Sequence, residues 1–178
     1  MKVTLVSIFL LAPFILVGQN NAVLANNDFN GMSLNNLVTI KDLENETDYR
    51  SRLIEVFGTP SSTKCDTNVI TGTSCAIHYD GFELGFDFDT ELVDIILTGS
   101  NYFLQYGPYQ LKTGMSMSEV QIIFPNAYNK RYTTVFDSQT IHVVNLFVGN
   151  ENSDTTFSLI YNPNTNTVTE IIIRFEPV

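Results

Sequence analysis

Asp80–Gly81 restricts the fold of this chain more than any other feature of its sequence. The pair lies between two alternating apolar runs, 75–79 and 82–88. A DG pair in that setting signals a two-residue β-hairpin, because the turn needs positive φ and glycine supplies it without steric cost. In the second run Phe82, Leu84, Phe86 and Phe88 share one face, while Glu83, Gly85, Asp87 and Asp89 share the other. Asp89-Thr90-Glu91 turns the chain, and residues 92–98 supply a third strand.

Helical periodicity appears in two places. Tyr49, Leu53, Val56 and Phe57 fall on one face of a helix over 47–57, with Asn45 or Thr47 as its cap and Gly58 and Pro60 ending it. The second helix opens with Ser116-x-x-Glu119, a capping box, and Met115 and Val120 have hydrophobic-staple spacing. Val120, Ile123 and Phe124 form its apolar face, and Pro125 is expected to stop it. Residues 99–108 read as a loop, and further strands are expected near 131–136, 140–148, 156–161 and 167–175.

The first 25 residues have the pattern of an export leader: Lys2, an apolar run over 3–17, then Val23 and Ala25 before a cut at Asn26. Its removal would leave 153 residues, enough for one domain, and would take the net charge from −10 to −11. No later stretch has membrane-spanning length. So acidic a chain lacks the Lys and Arg clusters that nucleic acids or anionic membranes require. Export to a secreted or periplasmic location makes Cys65 and Cys75 a disulfide pair, closing a loop worth about 3 kcal/mol in the chain-entropy model. Residues 26–43 form a lead-in, polar and mobile over 26–33, with 37–43 as a short edge strand or the approach to the first helix.

Two halves can be superposed. Residues 53–57 (LIEVF) match 120–124 (VQIIF), and residues 89–97 (DTELVDIIL) match 165–173 (TNTVTEIII). The expected fold is α+β: two tandem helix-plus-antiparallel-sheet repeats, 44–110 and 111–178, in one exported domain.

The box Gly114-Met115-Ser116-Met117-Ser118-Glu119-Val120, the Phe57-Gly58-Thr59-Pro60 helix end and the two flanking cysteines resemble the β-lactamase inhibitory protein group and BamE-like envelope proteins. The resemblance implies repeats of a short helix followed by a strand meander. It also implies a hairpin whose acidic turn enters a partner, and Asp80 stands at that position between Tyr79 and Phe82. A second disulfide and tryptophan are missing here.

Asp87, Asp89, Glu91 and Asp94 form an acidic run without the glycine or spacing of an EF-hand loop, and read as a solvated face. Whether they bind a cation stays open, and no metal site or cofactor is expected. His78 alternates onto the same face as Asp80. No nucleophile elbow, zinc-protease helix, phosphate loop or dinucleotide fingerprint occurs, so an enzyme is not expected. Tyrosines gather near loops, as either a recognition face or amphipathic rim packing. The expected function is a non-enzymatic binding protein, inhibitor or immunity-type or an envelope assembly factor, which contacts a protein partner through His78, Tyr79, Asp80, Gly81, Phe82, Tyr102, Tyr106 and Tyr109. A small-ligand or polysaccharide-binding module is the alternative, and a carboxylate hydrolase a third reading.

Overall fold

The turn at Asp80–Gly81 closes a hairpin in the computed structural model of the chain, which describes residues 22–45, 49–68, 72–87, 91–136, 138–150 and 152–175. The chain opens with β1 (Val23–Leu24), α1 (Asn26–Asn30), β2 (Ser33–Leu34), β3 (Val38–Thr39), α2 (Ile40–Asn45) and α3 (Tyr49–Phe57). An antiparallel meander follows: β4 (Ser62–Asn68), β5 (Gly72–Tyr79), β6 (Phe82–Asp87) and β7 (Glu91–Leu97). β8 (Leu104–Tyr106) and β9 (Tyr109–Leu111) make a short hairpin before α4 (Met117–Ile123) and α5 (Pro125–Asn129). A second meander, β10 (Tyr132–Phe136), β11 (Gln139–Val148), β12 (Thr156–Asn162) and β13 (Thr167–Arg174), completes the fold.

The two meanders join edge to edge, β13 against β7, into one mixed sheet of order β1-β11-β12-β13-β7-β6-β5-β4, with β10 also on β11. A smaller sheet, β3-β2-β8-β9, lies apart from it. Period-2 alternation sends Leu84, Ile95, Leu97, Leu159, Ile171 and Ile173 to the buried face of the large sheet. There they share a single core with Leu34 and Leu104 of the small sheet and with Phe29, Leu53 and Val120 of the helices. The opposite face carries the half-buried Glu83, Asp94, Ile96, Glu170 and Ile172. The architecture is α+β.

Local signals hold where they are strong. Ser116 caps α4 by accepting from the Glu119 amide at 3.2 Å, and Glu119 reaches back to the Ser116 amide at 2.7 Å. Met115 and Val120, the staple pair, are both buried. Cys65 faces Cys75 across β4 and β5, and the two form a disulfide. The expected cap Thr47 lies outside the described residues.

Two expectations need correction. The lead-in is ordered and supplies core residues Phe29, Met32, Leu34, Val38 and Ile40. Its polar surroundings concealed apolar positions that only a distant sheet buries. Both readings of residues 37–43 hold, since Val38–Thr39 form β3 at the edge of the small sheet and α2 follows from Ile40. α4 stops before Pro125 as expected, with Phe124 leaving the helical conformation at φ −127° and ψ 61°, and the same proline then opens α5, because proline at a first helical position loses no hydrogen bond. The loop read over 99–108 contains β8, which pairs with β2.

Most of the leader lies outside the described residues, but its expected last residues do not. β1 runs parallel to β11, with Val23 opposite Phe147 and Leu24 opposite Val148. The Phe147 amide donates to the Ala22 carbonyl and the Gly149 amide to the Leu24 carbonyl, each at 2.8 Å. Leu24 is 0% exposed. A chain beginning at Asn26 should therefore unfold at a lower temperature than one beginning at Ala22. The deficit should be about 1.5–3 kcal/mol for the lost Leu24 burial alone. Equal melting of the two by calorimetry would show that β1 contributes nothing.

Candidate functional site

The hairpin tip has a definite setting. Gly81 has φ +106°, and its carbonyl accepts from the amides of Thr98 at 2.9 Å and Gly99 at 2.8 Å. The turn therefore rests on the chain leaving β7. A Cβ on Gly99 would lie 2.6 Å from the Gly81 Cα, so the two backbones meet because both residues are glycine.

The flanking aromatics point inward. Tyr79 is 8% exposed and Phe82 2%. Their rings stack at 4.5 Å across the hairpin, and Tyr102 tilts onto Phe82 at 4.4 Å. Phe57, at the end of α3, meets Phe82 edge-on at 5.1 Å. The Tyr79 hydroxyl donates to the Gly58 carbonyl at 3.3 Å, and burial raises its pKa, with Tyr102 adding to the effect. Such aromatic pairs contribute about 0.5–1.5 kcal/mol each beyond their burial. Tyr79, Phe82 and Tyr102 thus form a packing cluster that seats the first helix and the loop after β7 on the hairpin. Burial leaves Tyr79 and Phe82 little surface for contact, while Asp80 at the tip is exposed.

His78 lies elsewhere, on the open face of the sheet, where its Nδ1 is 2.6 Å from Glu83 Oε2 on the neighbouring strand. Asp94 covers Gly85 on the same face, and a Cβ at Gly85 would collide with the Asp94 carboxylate. Burial raises the Asp94 pKa and Glu83 reinforces this, against the opposing effects of Arg174 and the Gly85 backbone. Glu170 is raised by the same two causes, burial and then Glu83. His78 Nε2 and Asp94 Oδ1 are shielded from solvent without a hydrogen-bond partner among the described residues. The acidic run divides: Asp87 pairs across strands with Glu91, Asp94 lies further along β7, and Asp89 falls outside the described residues. Among the described residues no three His, Cys, Asp or Glu side chains gather as a metal site would require.

The remaining tyrosines lead to a surface feature that sequence reasoning marked only at one residue. Tyr106 is half-buried against Phe124 at 5.4 Å, and burial raises its pKa, followed by the effects of Asp28 and Tyr109. Tyr109 is 40% exposed and borders a groove of about 420 Å³ between β9 and α4. Met115, Ile122 and Ile123 give the groove its apolar lining, and Lys112 and Glu119 add opposite charges. Ile122 is 63% exposed. Its position off the buried stripe of α4 was the available sequence signal. Asp80 and Tyr109 are thus the exposed members of the expected contact set, and they belong to different hairpins.

No protein-family model matches the chain, and no curated protein matches it. Two solved structures are similar in part. An extracellular protein containing a SCP domain from Bacillus anthracis str. Ames aligns with a TM-score of 0.46 and 12% identity, over 79% of this chain and 46% of that one. A cysteine-rich secretory protein from Staphylococcus aureus subsp. aureus Mu50 aligns with a TM-score of 0.43 and 14% identity, over 71% and 43%. The chain spans less than half the length of either.

Two measurements probe this geometry. Gly99→Ala should lower thermal stability by about 1–3 kcal/mol through overpacking against Gly81, whereas Asp80→Ala on the exposed tip should stay within about 0.5 kcal/mol. Melting curves that rank the two in reverse would count against the backbone contact. A raised folded-state pKa means that the native protein takes up a proton before the unfolded chain does. The associated stability is complete below the unfolded-state value and is lost as pH rises through the folded-state value. Asp94→Asn should therefore melt higher than the parent at neutral pH, with the gap closing in acid. A gap that does not change with pH would exclude this linkage.

Proposed function

We propose that this chain is an exported, non-enzymatic binding module that engages a protein partner at the groove between β9 and α4, with Asp80 as a separate contact. The observation that carries the reading is the exposure of Ile122 and Tyr109 beside that groove, in a chain whose other large apolar side chains are mostly buried. An open, apolar groove with charges beside it fits a segment of a protein better than an enclosed small ligand. Export is supported by the leader pattern and by the disulfide. The non-enzymatic reading is supported by the disulfide, which takes both cysteines out of use as thiol nucleophiles. The net charge of −10 favours a partner with a basic surface.

We further read the two meanders as copies of one unit, as the inhibitor-like and BamE-like resemblance implies. Support comes from the join between them. Ile95, Ile96 and Leu97 pair in reverse order with Ile173, Ile172 and Ile171, the three residues that match them in the sequence alignment of the halves. A local two-fold through Ile96 and Ile172 accounts for that pairing.

The test is capture of extracellular proteins on the immobilised protein, followed by Ile122→Glu, Tyr109→Ala and Asp80→Ala. Loss of a captured partner with Ile122→Glu or Tyr109→Ala, at unchanged melting temperature, is the expected result. A partner retained by both variants would rule out the groove.

A further inference from the structure

We propose that β10 is a self-association edge, pairing antiparallel with β10 of a second copy of this chain. It shares no residue with the groove and does not depend on it. Every residue of β10 is exposed, so neither face of the strand is packed on the core. Tyr132 is 48%, Val135 68% and Phe136 66% exposed, a concentration of apolar surface on a five-residue strand. One edge of β10 pairs with β11, and among the described residues no strand pairs with the other edge.

At the other end of the large sheet lies β4, and the contrast between it and β10 is informative. β4 reads STKCDTN, with Lys64 and Asp66 interrupting a polar strand, the usual protection against edge-to-edge pairing. β10 reads YTTVF and has no such protection. An exposed, uncharged strand whose outer edge no described strand pairs is a template for strand addition.

The sequence of β10 selects a second copy as its occupant. Centred on Thr134, an antiparallel pair of YTTVF strands sets Tyr132 opposite Phe136, Thr133 opposite Val135 and Thr134 opposite itself. All five residues find a partner, and the aromatic and β-branched pairs are those that stabilise adjacent strands. Residues opposite one another are all even or all odd in number, so hydrogen-bonding groups that point outward on one copy meet outward-pointing groups on the other. Charge selects the same orientation. Lys130 and Arg131 precede β10 and are exposed in a chain of net charge −10. Antiparallel pairing places the two basic pairs at opposite ends, about 20 Å apart and beyond the screening length at physiological salt. Parallel pairing would set them side by side. The antiparallel arrangement is isologous and closes at two copies, whereas β10 on β4 of the next molecule would propagate into a filament.

The experiment is sedimentation of the chain over a range of concentrations, with cysteine cross-linking to read the register. A concentration-dependent dimer is expected, and Phe136→Lys should raise its dissociation constant by about tenfold or more. Val135→Lys serves as a second variant should the first fail to fold. Thr134→Cys should give a disulfide-linked dimer on oxidation, because the two copies of residue 134 face each other. Thr133→Cys should not, because its two copies would lie roughly 8 Å apart, too far to bridge. A monomer at every concentration, an open polymer, a dimer indifferent to both lysine substitutions, or equal cross-linking by the two cysteines would each overturn the proposal.

Discussion

Four antiparallel pairs hold the large sheet together. Asp94–Leu97 lies against Ile171–Arg174, and without that seam each meander would be a narrow sheet with two open edges. Ile95, Leu97, Ile171 and Ile173 are fully buried along it. The seam is therefore both the register lock of the sheet and the centre of the apolar core. A slip of one residue would turn one strand over against the other, sending Ile171 and Ile173 of β13 to the face where Ile96 and the carboxylates of β7 now stand.

The same seam determines the electrostatics of the open face. Glu83 and Asp94 belong to the first meander and Glu170 to the second, and the pairing of β7 with β13 brings all three into one field. The cost is visible in the raised pKa values of Asp94 and Glu170, each attributable first to burial and then to Glu83. His78 lies against Glu83 at one side, and Arg174 is placed opposite Asp94 at the other. Acidity that reads along the sequence as a local run, 87 to 94, is in three dimensions partly a long-range cluster. The number of aspartates between two turns carries no information about which strand will become a neighbour.

This distinction separates what was legible in the sequence from what was not. Alternation and turn chemistry are local, so the DG hairpin, the Ser116–Glu119 box and the strands of the second meander were readable close to their final bounds. Tertiary pairing decides β1, β2 and β3, each of only two residues, and their own propensities are too weak to announce them. Leu24 and Leu34 are core residues because β11 and β8 lie beside them, more than 60 residues away. The expected hairpin turn forms at Asp80–Gly81, but the direction of its flanking aromatics was not legible. Alternation assigns faces to Tyr79 and Phe82 only once it is known which side of the sheet is covered.

Tyrosine beside a tight turn is therefore an ambiguous signal, and the outcome depends on the partner available to the ring. Phe57 and Tyr102 arrive from α3 and the loop after β7 to enclose Tyr79 and Phe82, and the glycine-to-glycine contact at Gly81 and Gly99 lets that loop come close enough to do so. Tyr109 and Tyr132 receive no such cover and remain exposed. Ile122 stands beside the first and Val135 and Phe136 beside the second, where they cannot be screened by the single core below. Leaving several large apolar side chains in water lowers solubility and returns nothing to the fold, because none of them adds to the buried core. The exposed side chains beside the groove and on β10 are the ones that the two proposed contacts would cover, whereas the aromatics of the hairpin tip are already covered from within.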